Sequence, residues 1–123
     1  MSMKLRVLDK TFSVCKIADI ANINRLKQYM FLSISDEEVS LICPEDNVPE
    51  NVLVRENGWR CFRFDGVLDF SLVGVLAKVL TLLADAGIQI LAISTYNTDY
   101  IFTKEDVFDD AIIVLKKEGY VFL

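Results

Sequence analysis

The chain has 123 residues, of which 53% are hydrophobic and 25% charged, a composition typical of one compact domain or of two small subdomains that share a core. Its formal net charge of −5 disfavours binding to nucleic acids and to anionic membranes. The sequence contains no histidine, so it lacks the most common general base and the most common zinc ligand.

The first 58 residues contain short strand-like segments and little helical pattern. In chain order we predict strands at 5–8 and 12–17 joined by a turn at Asp9 and Lys10, a short helix at about 20–28, a hairpin of 29–34 and 39–43, and a last strand at 52–56. Asn57 and Gly58 mark the joint to the second half.

The second half predicts a longer series of elements. In chain order these are a strand at 59–64, a helix capped by Asp69 or Ser71 that ends near Ala86 before Gly87, strands at 88–93 and 100–102, a helix that begins with a capping box at 103–106, and a strand at 120–123. This βαββαβ order predicts an α+β fold of the ferredoxin-like type.

The first half resembles a reduced copy of the second. The segment 43–48 is similar to 103–107, which lies 60 positions later. Pro44 and Pro49 prevent a long helix after 43, so the second helix of the first copy is expected to be a turn. We therefore predict two tandem subdomains, a degenerate one at 1–58 and a complete one at 59–123.

The segment 70–93 is apolar enough to be compared with a membrane span. It contains Lys78 and Asp85, and Gly87 interrupts it, so we predict a helix followed by a buried strand. The helix at 71–86 is apolar nearly all round, which predicts a second cover from the N-terminal half or from a partner chain. No apolar secretory core follows the N-terminus, and a cytoplasmic location is expected.

The sequence lacks the residue combinations that are typical of catalytic and metal-binding sites. The three cysteines, Cys15, Cys43 and Cys61, form no Cys-x-x-Cys pair and are predicted to be buried free thiols. No nucleophile has a base at motif spacing, and no glycine-rich phosphate loop is present. Asp65 and Asp69 suit turn and cap positions better than a metal site. We expect no enzyme activity, no cofactor and no metal.

Two polar joints could bind a ligand. The first, at 65–71, precedes a helix, and the free amide groups expected at 69–72 suit a carboxylate. The second, at 94–100, has Asp99 for an ammonium or guanidinium group; the hydroxyls of Thr95 and Thr98 and the ring of Tyr96 lie beside it in sequence. Together they fit an amino acid. Turn formation explains the second joint equally well, and the residues alone leave both interpretations open.

A resemblance to a known family favours the ligand-binding interpretation over the turn interpretation. The motifs LDFSLVGVLA at 68–77, LADAGI at 83–88 and ISTYNTDY at 93–100 resemble those of ACT-domain proteins related to the CASTOR arginine sensors, some of which are small bacterial proteins with two tandem ACT-like halves. The resemblance implies a regulatory module that binds a small effector, usually an amino acid, between two domains.

Carried over to matching positions, the resemblance implies that Asp69, Phe70, Ser71 and Leu72 line the backbone end of the effector. Asp99 is similar to the acidic residue with which the arginine sensors hold the cationic side chain of their ligand. Those sensors are longer, so a second copy of this chain would supply the missing wall of the pocket.

Two other classes of protein share this pattern. The first is a module for oligomerisation or for binding a downstream protein, with a vestigial pocket. The second is an RNA-recognition domain, for which Tyr100 and Phe102 could serve as stacking residues. The acidic pI of about 4.6 and the position of Asp99 disfavour RNA.

Overall fold

The structure is a computed structural model that describes residues 3–21, 23, 27–50, 52–66 and 73–123. The chain forms two compact units. The N-terminal unit is Lys10–Trp59, and the C-terminal unit combines Met1–Asp9 with Arg60–Leu123. The predicted division between 58 and 59 therefore differs from these units in where Trp59 and the first nine residues belong.

Seven strands and two α-helices make up the described part of the chain. The strands are β1 (Lys4–Ile17), β2 (Phe31–Ile34), β3 (Val39–Pro44), β4 (Val52–Phe64), β5 (Ile90–Ser94), β6 (Asp99–Lys104) and β7 (Val121–Phe122). The helices are α1 (Val75–Asp85) and α2 (Phe108–Lys117), and 3-10 turns follow β3 at Glu45–Asn47 and β6 at Glu105–Val107. No described helix has the length and apolar character that crossing a membrane requires.

The predicted hairpin at Asp9 and Lys10 is wrong, because β1 runs through both residues without a turn. Both side chains are exposed, so their charges stay solvated inside a strand and need no turn to reach water. The predicted joint at Asn57 and Gly58 also lies inside a strand, β4. Gly58 has φ +83, a left-handed conformation that glycine adopts at little cost, and its amide donates to Oε2 of Glu45 (3.0 Å).

In the N-terminal unit the strand order is β2-β3-β1-β4. β3 pairs antiparallel with both β1 and β2. Cys15, Ile17, Leu41 and Cys43 form a small core on one face. The helix predicted at about 20–28 falls partly on residues outside the described part of the chain, and its described residues are not helical.

In the C-terminal unit the strand order is β5-β6-β4-β1-β7. The core joins strand and helix side chains, and its fully buried members include Phe62, Phe64, Ile101, Val79, Leu83, Ala111 and Leu115. These elements confirm the predicted βαββαβ order. One feature was not predicted: β7 pairs parallel with β1, through Lys4 and Val121, so that the start of β1 lies between β4 and β7.

The exposed side of α1 needs no second cover. Its larger apolar residues are buried in the core or packed against it, among them Leu76, Val79, Leu80 and Leu83. The exposed positions carry Ala77, Lys78, Thr81, Ala84 and Asp85, which are small or polar. The apolar residues that suggested a wider stripe include Val73, which precedes the helix.

A repeat with an offset of 60 residues is visible in the backbone. The strands β2 and β3 with their 3-10 turn occupy 31–34, 39–44 and 45–47; β5 and β6 with theirs occupy 90–94, 99–104 and 105–107. The hairpin turns also match, since Ser35 N donates to Glu38 O (3.0 Å) and Thr95 N to Thr98 O (2.9 Å). After the 3-10 turns the chain diverges: Val48 is extended, whereas Phe108 begins α2.

Candidate functional site

The second predicted joint forms the tight turn between β5 and β6. Both the amide and the hydroxyl of Thr95 donate to Thr98 O, each at 2.9 Å, which closes the turn. Tyr96 lies at its tip and is 80% exposed. Ser94 pairs with Asp99 at the base of the turn. The turn therefore brings together four of the predicted ligand-binding residues, Thr95, Tyr96, Thr98 and Asp99.

A buried hydrogen bond fastens this turn to the end of β4. The hydroxyl of Thr98, whose side chain is buried, donates to Phe64 O at 3.2 Å. Phe64 is the last residue of β4, and the first predicted joint begins at the next residue, Asp65. The two joints thus start from the same end of the C-terminal sheet, as the ligand interpretation requires.

Asp99 has an available carboxylate. Its side chain is partly buried, and among the residues that the structure describes it has no ion-pair partner and no side-chain hydrogen bond. Asp65 differs, because its Oδ1 accepts from Nε of Arg6 at 3.1 Å and its amide donates to Lys4 O. Asp65 therefore holds β1 against the end of β4, and Asp99 is the acidic group that a cationic ligand could use.

The other four predicted ligand-binding residues, Asp69, Phe70, Ser71 and Leu72, lie outside the described residues. The start of the helix that follows is later than predicted. α1 begins at Val75, and Gly74 at its N-cap has φ +78. The N-cap position of α1 is therefore Gly74 and not the predicted Asp69 or Ser71, which lie outside the described residues. The free amide groups at its start belong to residues after Gly74 instead.

A cleft of about 460 Å³ opens beside this helix start. One side is formed by residues 73–75 and Lys78, the other by residues 118–120 just after α2, and Met3 completes the lining. Among the residues that the structure describes, no side chain caps the amide groups in the first turn of α1. The positive end of one helix dipole and the negative end of the other therefore border the same space.

Two ionisable residues at the far side of the cleft differ in burial. Tyr120 is largely buried, with 8% of its surface exposed. Burial raises the pKa of the Tyr120 phenol, and the neighbouring carboxylate of Glu118 raises it further, so the hydroxyl keeps its proton at neutral pH. Glu118 itself is exposed at the rim.

The sequence interpretation missed this cleft. It assigned residues 118–120 only to the end of a helix and to a strand, and Lys78 only to the argument against a membrane span. The local signals were the two glycines, Gly74 and Gly119, which both adopt positive φ next to helix ends. No pattern within either segment shows that the two helix ends meet.

The cysteines are buried free thiols, as predicted. Burial raises the pKa of all three; for Cys43 the value reaches about 12, with a smaller contribution from the neighbouring Cys15 thiol. Protonated, buried thiols are poor nucleophiles and poor metal ligands. Among the described residues no three potential metal ligands come together.

Solved structures with the same fold come from several bacteria. A protein of Agobacterium tumefaciens has a TM-score of 0.88 at 24% identity, with 100% of this chain and 93% of that chain covered. A Vibrio cholerae protein of unknown function, described as a possible transport protein, has a TM-score of 0.68 at 18% identity, with coverages of 94% and 89%. The ligand-free regulatory subunit of aspartate kinase from Thermus thermophilus has a TM-score of 0.65 at 8% identity, with coverages of 92% and 95%.

At such low identities these structures show only the fold, so the family is assigned from a match to a family model. No curated protein matches the chain in a sequence comparison. The model of the ACT domain matches residues 54–117, just over half of the chain, and this segment contains α1, the β5–β6 turn and α2. The chain belongs to the ACT domain family.

Proposed function

We propose that this protein is a non-catalytic regulatory module that binds a small amino-acid effector at the end of the C-terminal sheet where β4 and the β5–β6 turn meet. One observation carries the proposal: Asp99 is partly buried and has no cationic partner among the described residues, in a turn fastened to Phe64. A carboxylate in such a position is free to bind an ammonium or guanidinium group.

Membership in the ACT domain family supports a regulatory role over an enzymatic one. Several solved structures of similar fold are regulatory parts of aspartate kinases, including the Thermus thermophilus subunit and a C-terminal regulatory domain from Porphyromonas gingivalis. By the resemblance in its motifs, we propose that Asp69, Phe70, Ser71 and Leu72 contact the effector and that a cationic amino acid such as arginine is preferred.

We also propose that the N-terminal half is a second, reduced ACT-like copy. The repeat at an offset of 60 residues supports this, as does the strand order β2-β3-β1-β4, which is that of a ferredoxin-like sheet. In this copy only a 3-10 turn at Glu45–Asn47 stands where the C-terminal unit continues into α2. A cytoplasmic location and a dimeric working form belong to the same proposal.

The test is a thermal-shift screen of the twenty amino acids. A ligand present at 100 times its Kd should add about 2.7 kcal/mol to the free energy of unfolding. If Asp99 binds the cationic group, Asp99→Asn should weaken binding of the best cationic ligand by about 2 kcal/mol in a desolvated site. Asp36→Asn, in the matching turn of the N-terminal unit, is the control and should bind normally.

The proposal would be refuted if no amino acid shifts the melting temperature. An unchanged Kd in Asp99→Asn would show that Asp99 is a turn residue only. Either result is measurable without knowing the downstream partner.

A second candidate function is a protein-interaction module with a vestigial pocket. The observation that favours it is β2, the outer strand of its unit, where Leu32 is 42% exposed and Ile34 is 64% exposed. Exposed apolar residues on an edge strand suit pairing with another chain. A dimer that Ile34→Lys dissociates, in a protein that binds no amino acid, would support this function instead.

A further inference from the structure

We propose that two surface patches of this chain bind each other between copies, so that the acidic patch of one molecule docks on the basic patch of another. The acidic patch lies on β2 and the turn after it, and the basic patch lies on β7 and the start of β1. Each patch combines exposed apolar side chains with charges of one sign, and the two signs are opposite. The inference goes beyond the proposed function, because it concerns association of the chain and not effector binding.

The acidic patch begins with the apolar face of an edge strand. Leu32 and Ile34 are two positions apart on β2, so their side chains point to the same face, and they are 42% and 64% exposed. β2 is the outer strand of the N-terminal unit and pairs with β3 on its inner side. Large apolar side chains that stay exposed on an edge strand are typical of a surface that contacts another chain.

The turn after β2 adds negative charge to this patch. Asp36, Glu37 and Glu38 are exposed, and none of them has an ion-pair partner among the described residues. Oγ of Ser35 accepts hydrogen bonds from the amides of Glu37 (3.2 Å) and Glu38 (3.3 Å), which stabilises the turn. Three carboxylates beside two exposed apolar side chains suit a partner surface that is both apolar and cationic.

The basic patch lies on the face of the C-terminal sheet that points away from its core. Leu5 of β1 pairs with Phe122 of β7, and both side chains point to the core, in which Leu5 is fully buried and against which Phe122 packs. Side chains alternate between the two faces along a strand. The other face of this segment therefore carries four exposed side chains, those of Lys4, Arg6, Val121 and Leu123.

Two apolar and two basic side chains make up the basic patch. Val121 is 41% exposed and Leu123 is 49% exposed. Leu123 continues the pairing of β7, because its amide and its carbonyl both bond to the backbone of β1. In the part of the chain that the structure describes, Lys4 has no ion-pair partner, whereas Arg6 shares its charge with Asp65. The ammonium group of Lys4 is therefore available to a carboxylate of another molecule.

A second copy of the chain supplies the matching surface. The chain has a net charge of −5, so two copies repel each other over most of their surfaces, and the basic patch is where an acidic patch meets charges of opposite sign. Each patch also offers two exposed aliphatic side chains that can bury one another. A stable interface buries about 800 Å² and about 20–30 residues on each partner, so a contact of this size should be weak and reversible.

The experiment measures the mass of the full chain by analytical ultracentrifugation as the protein concentration rises from roughly 10 μM to roughly 1 mM, the range of weak complexes. The acidic-patch variant carries Ile34→Lys and Glu37→Lys. The basic-patch variant carries Lys4→Glu and Leu123→Glu. Each variant replaces one apolar side chain with a charge and reverses one charge, and all four residues are exposed.

A control variant carries Glu50→Lys and Leu53→Lys. Both residues are exposed, and they lie at the start of β4, on the other side of the N-terminal sheet from β2. The control therefore makes the same kinds of change as the acidic-patch variant outside both patches. Circular dichroism confirms that every variant is folded.

The wild-type protein and the control should associate reversibly. Each patch variant alone should raise the Kd of self-association at least about tenfold, because it loses both the apolar contact and the charge attraction. An equimolar mixture of the two patch variants should recover association, since it places an intact acidic patch and an intact basic patch on different molecules. Raising the salt from about 0.01 M to about 1 M shortens the Debye length from about 30 Å to about 3 Å and should weaken the wild-type contact.

Three results would overturn the inference. These are a wild-type protein that stays monomeric over the whole concentration range, unchanged association in the basic-patch variant, and folded patch variants that fail to associate when mixed. Loss of association in the acidic-patch variant alone would show instead that β2 pairs with β2 of another copy. The amino-acid screen is independent of these results, because a protein that binds no amino acid would refute the proposed function and leave this inference standing.

Discussion

Replacement of Leu5 by alanine tests whether the first residues of the chain are part of the C-terminal unit. Leu5 is fully buried in the core that contains Phe62 and Phe64, although more than fifty residues separate it from them in sequence. Its carbonyl accepts from Leu123 N at 2.7 Å, and it pairs with Phe122 of β7. Leu5→Ala therefore removes a core side chain at the point where β1 joins the unit.

The magnitude follows from burial. Burying a leucine side chain completely contributes about 1.5–3 kcal/mol, and the cavity left by truncation brings the typical cost of Leu→Ala to about 2–5 kcal/mol. Domains of this size have total stabilities of about 5–15 kcal/mol, so the loss would be a large share of the total. Leu53 is 60% exposed, and Leu53→Ala should change stability by less than about 0.5 kcal/mol.

Urea denaturation followed by circular dichroism gives the two free energies of unfolding. Hydrogen exchange at Val121 and Leu123, whose amides donate to Met3 O and Leu5 O, reports on the strand pairing directly. Equal losses in Leu5→Ala and Leu53→Ala, with unchanged exchange at Val121 and Leu123, would refute the placement of the first strand in this core.

Three further predictions concern the site and its surroundings. Thr98→Val keeps the shape of the side chain but removes the donor to Phe64 O, so it should cost about 1–3 kcal/mol in urea denaturation and weaken effector binding; unchanged stability would contradict the buried bond. Gly74→Ala meets no steric contact but needs a left-handed φ, so it should lose about 1–2 kcal/mol, and a gain instead would place the helix start elsewhere. Cys43 has a folded pKa of about 12 against 9.0 when unfolded, so the unfolded state loses its proton first, and stability should fall by up to about 1.4 kcal/mol per pH unit above pH 9; Cys43→Ala should show a shallower decline.

Sequence patterns predict the C-terminal elements because their information is local. α2 has an apolar stripe with acidic residues at its start and Lys116 and Lys117 at its end, and β5 and β6 are apolar runs around a polar turn. The repeat at an offset of 60 residues also depends on local sequence. Pro44 and Lys104 occupy matching positions before the two 3-10 turns and have nearly the same backbone angles.

What the pattern could not predict depends on partners far away in sequence. Asp9 and Lys10 resemble a turn in sequence, but they lie in the middle of β1, whose pairing with β3 from Phe12 onward and with β7 at Lys4 and Leu5 involves residues far away in sequence. In the sequence Gly74 is compatible with an interior position of the helix. Its φ of +78 in the structure shows that α1 begins after it, at Val75. Tyr120 reads as an ordinary strand residue, and its place in the cleft depends on where α1 begins.

The C-terminal unit is assembled from two separated segments, Met1–Asp9 and Arg60–Leu123, with Lys10–Trp59 between them. During folding these segments must meet across an intervening stretch whose loop closure costs on the order of 3 kcal/mol of chain entropy while it is disordered. If Lys10–Trp59 folds first, it brings the two segments closer together and lowers this entropy cost. Mutations that destabilise the N-terminal unit should therefore slow the folding of the C-terminal unit, even where no side chain of the effector site is altered.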